Sequence, residues 1–172
     1  MSDTIKNEKL KKFLKEYGPY IAAIILILLF KKFFYSPIRV NGESMMSTLH
    51  DGDIMILDVI GYKKNGLKRF DIVVVDEGSE LIIKRVIGLP GEKIEYRDNE
   101  LYINDKKVDD KYNSNETDDF SVVVPKDKYF VLGDNRNNSM DSRIFGAFSE
   151  KQIRGKTKFI VMPFSRYGEV KK

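Results

Sequence analysis

From Pro37 onward the chain reads as nine short β-rich runs, at 38–41, 53–59, 71–75, 81–87, 93–97, 101–104, 120–124, 129–132 and 157–162, and this punctuation restricts the fold more than any other feature. Turn pairs separate nearly all of them: Asp51-Gly52, Asn65-Gly66, Glu77-Gly78, Pro90-Gly91, Asp98-Asn99 and Gly133-Asp134. Runs so short and so often interrupted predict an all-β domain, a barrel or a sandwich, over residues 36–172. A short helical piece is expected at 149–153, and the polar stretch 104–119 reads as a mobile surface excursion between strands. A chain of 172 residues has room for one such domain and a short N-terminal element.

That element is marked by GPYIAAIILILLF, the 13 uncharged residues from Gly18 to Phe30. With its aromatic flanks it runs over 17–35, about 28 Å as a helix, enough to cross a bilayer. A buried core helix and a cleavable signal peptide are the other readings, because Lys31 and Lys32 interrupt the far end. Long lysine stems can snorkel, however, and Phe33, Phe34 and Tyr35 resume the apolar character, while no cleavage site after small residues is evident. The expectation is a retained transmembrane anchor at 17–35. Five lysines in residues 1–16 place that tail in the cytoplasm, and 36–172 then lie outside the plasma membrane.

The charge agrees with a membrane. Residues 1–32 hold seven lysines against three acidic residues, whereas residues 33–172 hold 23 basic and 23 acidic ones. A folded domain without net charge argues against nucleic acid as a partner and leaves the lipid bilayer as the expected one.

The chain has no cysteine and one histidine, which removes a thiolate nucleophile and leaves little for a metal site; neither metal nor cofactor is expected. His50 lies between Leu49 and Asp51 at a turn and reads as a surface residue. Hydrolytic chemistry would then use a hydroxyl, a carboxylate or a metal-bound water, and a hydroxyl would need a base, for which a lysine is the candidate. A lysine can serve only where burial lowers its pKa from about 10.4 by several units, at about 4 kcal/mol for three units. In Leu81-Ile82-Ile83-Lys84-Arg85-Val86-Ile87, alternation places Lys84 on the face of Ile82 and Val86. Periodicity alone favours a strand lysine pointing outward.

The motifs reverse that preference. The segments VNGESMMSTL (40–49), Gly52-Asp53, RFDIVV (69–74), IKRVIGLPG (83–91) and GDNRNNSMDSR (133–143), in this order behind a short anchor, resemble the conserved boxes of bacterial type I signal peptidases. The resemblance covers nearly the whole chain. It implies that Ser44 is the nucleophile, Lys84 its general base, and Ser139 a hydroxyl that hydrogen-bonds and orients the lysine. It also implies that Asp141 and Arg143 form a supporting ion pair and that Asp134, Arg136 and Arg85 are structural supports. The implied substrates are secretory preproteins cut after an A-x-A pattern of small residues. Met45 and Ile82 are candidates for lining the pockets that select those residues, or equally for the core.

Two positions depart from the family. Ser47 stands where proline is usual, and Gly42 offers no hydroxyl to an oxyanion hole, leaving the Ser44 N–H for that task. A self-cleaving Ser/Lys repressor would need a DNA-binding helix-turn-helix where this chain has an apolar run. A degenerate signal-peptide binder, suggested by Ser47, would bind substrate and not cut it.

Overall fold

The computed structural model describes the backbone of residues 2–170 and the side chains of 11–27 and 36–170. The chain forms two compact units, Met1–Ser36 and Pro37–Lys172.

The first unit is helix α1, Ser2–Phe34, with Pro19 inside it. The helix begins earlier than the apolar run, because the lysine-rich residues before it are themselves good helix formers. Tyr20, Ile24, Ile25, Leu26 and Ile27 are all exposed, so the helix is apolar on every side there. Among the described residues no helix is long and apolar enough to cross a membrane. The far part of the expected span, 28–35, lies outside the described side chains.

The second unit is mostly β. In chain order its elements are β1 (Tyr35–Arg39), β2 (Ile54–Asp58), α2 (Gly61–Asn65), β3 (Ile72–Asp76), β4 (Leu81–Gly88), β5 (Lys93–Arg97), β6 (Glu100–Ile103) and β7 (Lys106–Val108). There follow β8 (Phe120–Val123), β9 (Lys128–Leu132), α3 (Ser142–Phe145), β10 (Phe148–Ser149), β11 (Ile153–Met162) and β12 (Gly168–Glu169). One sheet of eight strands has the order β1-β2-β11-β3-β4-β9-β10, with β12 beside β11; a second sheet has the order β7-β6-β5-β8. The 149–153 piece is a single 3-10 turn at Glu150–Gln152, capped by Ser149 and Gln152.

Strand β4 is the centre of the large sheet, and all of its residues after Leu81 are buried. Pleating sends Ile82, Lys84 and Val86 to one face and Ile83, Arg85 and Ile87 to the other. Ile82 and Val86 join Val73, Val75 and Val131 in one apolar cluster; Ile83 packs with Met45, Leu49 and Val74 in a second. The register fixes the edge as well as the faces. Strand β3 pairs along Leu81–Arg85, but β9 joins only from Arg85 onward, so Leu81–Lys84 keep one open edge.

The stretch 104–119 corrects the expectation of a mobile excursion. It contains β7, and Asp110, Tyr112, Ser114 and Asn115 each bond or stack onto groups of the second unit. Ten of its sixteen residues are exposed and only Thr117 is buried, so it lies at the surface as expected but is tied down by these contacts.

Candidate active site

Met45 and Leu49 are buried to within 1% and anchor the tight turn that carries Ser44. Within it Met46 N donates to Glu43 O at 3.1 Å and Leu49 N to Met45 O at 2.8 Å. Gly42 enters the turn at φ +83°, where a side chain would be strained, and its N–H donates to Asp51 Oδ1 at 2.8 Å. Ser44 is half-buried, and its N–H makes no hydrogen bond among the described residues.

Lys84 comes from β4 and is 3% exposed. Its Nζ donates to Ser44 Oγ at 2.6 Å. Burial pushes the Lys84 pKa down to about 8, opposed by the negative charges of Asp141 and Glu80 and assisted by Arg143. A lysine at that value supplies neutral amine at neutral pH, and the same contact then lets the serine hydroxyl donate to Nζ. The outward reading of Lys84 does not hold, because its side chain is buried and its amine meets Ser44.

The segment 133–143 backs this pair. Asp141 is wholly buried, caps α3 through the Arg143 N–H, pairs with Arg143 at 2.9 Å and accepts from Gly133 N at 3.1 Å. Burial alone would raise its pKa, but Arg143 and the Gly133 N–H outweigh that and hold the carboxyl below its usual range. Ser139 departs from expectation. Its Oγ is buried, lies near the Asp141 carboxylate without hydrogen-bond geometry, and bonds to no group among the described residues, Lys84 included.

The other expected supports form two buried ion pairs. Arg85 holds Asp134 in two parallel bonds of 2.7 and 2.5 Å, with Thr48 Oγ1 donating to the same carboxylate at 2.5 Å and Tyr112 stacked 3.6 Å from the guanidinium. Arg136 pairs with Asp110 at 2.7 Å, and Tyr96 bonds to both. Arg136 also donates from Nε to Gly133 O at 2.8 Å, so the pair braces the segment against Ser44. Asp110, Tyr112, Thr48 and Tyr96 were not singled out by sequence. Neither their spacing nor their types distinguish them from ordinary strand and loop residues.

Gly133 explains how closely the two segments pack. A Cβ there would stand 2.5 Å from Ser44 O and 2.6 Å from Ser139 Cβ, and closer still to Ser139 Oγ. Gly133→Ala is therefore expected to cost about 1–3 kcal/mol by overpacking and, with the role the resemblance implies for Ser44, to lower cleavage about 100-fold by displacing it. Urea denaturation and steady-state assays check the two effects separately; unchanged values in both would mean that the close approach is not required.

A groove of about 430 Å³ contains Ser44 and Lys84. The segment Arg39–Met45 forms one wall, Glu80–Lys84 the other, and Asn137–Met140 lines the end beside the two residues. Met45 and Ile82 both line it while also belonging to the core clusters, and Val40 and Ile83 line it with them.

A family model described as signal peptidase, peptidase S26, matches residues 13–162. Signal peptidase I of Bacillus amyloliquefaciens is 40% identical, covering 99% of each chain. Signal peptidase I S of Bacillus subtilis is 41% identical over 93% of this chain and 95% of its own length. Signal peptidase IB of Staphylococcus aureus is 41% identical over 92% and 94%. A crystal structure of a signal peptidase I from Enterococcus faecalis aligns with a TM-score of 0.50 and 37% identity, covering 52% of this chain and 95% of that one. With the match extending through the Ser44 turn, β4 and the 133–143 segment, the chain belongs to the peptidase S26 family of signal peptidases.

Proposed function

We propose that the chain is a membrane-anchored serine endopeptidase that removes signal peptides from secretory preproteins after an A-x-A pattern, with Ser44 as nucleophile and Lys84 as general base. The 2.6 Å contact between Lys84 Nζ and Ser44 Oγ carries the reading, because it joins a hydroxyl to the one deeply buried amine beside it. Neutral Lys84 takes the hydroxyl proton as Ser44 Oγ bonds to the scissile carbonyl carbon. The free Ser44 N–H supports the resulting oxyanion. The C–N bond then breaks, the lysine ammonium protonates the departing amine of the mature protein, and the signal peptide stays as an ester on Ser44. Lys84 next deprotonates a water, which attacks the ester and returns Ser44 to its hydroxyl. Ser139, Asp141, Arg143, Asp134, Arg136 and Arg85 keep the two reacting groups in place.

An extended substrate can pair with the open edge of Leu81–Lys84. Its alternate side chains then meet Met45 and Ile82, whose pockets suit alanine-sized groups. The all-round apolar surface of α1 from Tyr20 to Ile27 needs cover from outside the described chain, and a bilayer is the cover we propose. With residues 1–16 cytoplasmic, 17–35 spanning and 36–172 outside, enzyme and preprotein share one membrane and meet at high effective concentration.

The test is cleavage of a preprotein carrying an A-x-A site by washed membranes and by detergent-solubilised enzyme across pH 5–10. A single cut after the pattern is expected, with activity staying in the membrane pellet after alkaline washing. Because Lys84 must be neutral, kcat/KM should rise about tenfold per unit up to pH 8 and level off above it. A profile flat down to pH 6 removes lysine as the base, and release of activity into the wash removes the anchor.

A further inference from the structure

The groove has two unlike ends, and on the dyad reading above they take opposite halves of the substrate. Its walls recede in the same direction from the Ser44–Lys84 contact, toward Arg39 on one side and Glu80 on the other. That end is lined by the buried apolar residues Val40, Met45, Ile82 and Ile83, each at most 8% exposed, with Arg39, Glu80 and Leu81 exposed beside them. The opposite end is open. The 133–140 segment reaches the first wall at the dyad: Asn135 N donates to Ser44 O at 3.0 Å and Asn135 Nδ2 to Glu43 O at 3.2 Å. Beyond that contact Asn137, Asn138 and Met140 line the groove and are exposed, Met140 at 60%.

The chemistry of the two halves matches this asymmetry. The signal half must present small residues at fixed positions, which suits tight apolar walls. The mature half begins with whatever residue the exported protein has, which suits an unbranched, polarizable side chain able to repack around different partners. We propose that Met140 is the contact for the first residue of the mature half, and so sets the preference among leaving groups. The mature half departs when the C–N bond breaks. A contact with it therefore acts on acylation alone, whereas a side chain that merely shaped the loop of Ser139 and Asp141 would alter ester hydrolysis as well.

The experiment uses the full chain in detergent with preproteins that share one A-x-A site and carry Ala, Leu, Phe, Lys or Glu as first mature residue. Single-turnover release of mature product reads acylation, and decay of the ester reads deacylation. Met140→Ala is expected to slow acylation of the Leu and Phe substrates about fivefold relative to the Ala substrate, with deacylation unchanged. Met140→Leu should keep the wild-type ranking, and Met140→Glu should move it toward Lys. The proposal is overturned if the variants slow all substrates in parallel, if deacylation falls with acylation, or if the ranking changes with residues before the cut instead. Failure of the dyad reading is seen elsewhere, as cleavage that persists in Lys84→Ala, because the ranking of first mature residues is measured on active enzyme.

Discussion

Ser44→Ala and Lys84→Ala are each expected to lower kcat by at least about 10⁴-fold while leaving the β domain folded. The two residues touch at 2.6 Å and in the proposed mechanism act in one proton transfer, so the double variant should be no slower than either single one. Additive losses would mean that the residues act in separate steps. Lys84→Arg should not restore activity, since a guanidinium cannot give up its proton. Lys84→Met separates catalysis from stability. Below pH 8 the lysine is protonated in both the folded and the unfolded chain, and the whole cost of burying its charge, about 3 kcal/mol, opposes folding. Between about pH 8 and 10.5 the unfolded chain still holds the proton that the folded chain has released, so wild-type stability rises with pH in that window. An inactive Lys84→Met enzyme should therefore be more stable than wild type at neutral pH, with the advantage shrinking as pH approaches 10.5. Urea midpoints at pH 6 and pH 10 check this, and a variant less stable than wild type at pH 6 would sink the account of Lys84.

Much of this arrangement is legible in the chain because alternation and turn residues are local. All nine β-rich runs overlap strands, the first of them only at Ile38 and Arg39, and the burial of Lys84 follows once β4 is central. What escaped depends on partners distant in sequence. Strands β7, β10 and β12 have two or three residues, too few for a period to show. Strand β11 starts at Ile153, four residues before the apolar run, since Arg154, Gly155 and Lys156 have little β preference of their own. Gly155 is admitted because a Cβ there would meet Leu57 and the Asp58 carbonyl; pairing with β2 and β3 makes the strand. Asp110 looks like one more acid in a polar stretch, and only the fold brings it to Arg136. The expected bond from Ser139 to Lys84 is the opposite case. The motif brought the residue to the site, and the structure leaves its hydroxyl beside Asp141 instead.

Asp134→Ala should be the most damaging substitution for folding, at about 3–5 kcal/mol out of a domain stability of about 5–15 kcal/mol. Asp134 and Arg85 are 0% and 2% exposed in their side chains, so removing the carboxylate strands a guanidinium where water cannot reach it. The stacking of Tyr112 and the 2.9 Å bond from Arg85 Nη1 to Phe70 O remain, but neither supplies negative charge. Thr48 also loses the acceptor of its hydroxyl, and it lies in the turn that carries Ser44, so activity should fall at temperatures where the fold survives. The pair itself is a different matter from its breakage. Two desolvated charges recover little net energy from each other, so Arg85→Met combined with Asp134→Leu should lose far less than Asp134→Ala alone. Urea unfolding of the two variants beside wild type decides it. If the double variant is as unstable as the single one, the network stabilises through its hydrogen bonds to Thr48 and Phe70 rather than through compensation of a buried charge.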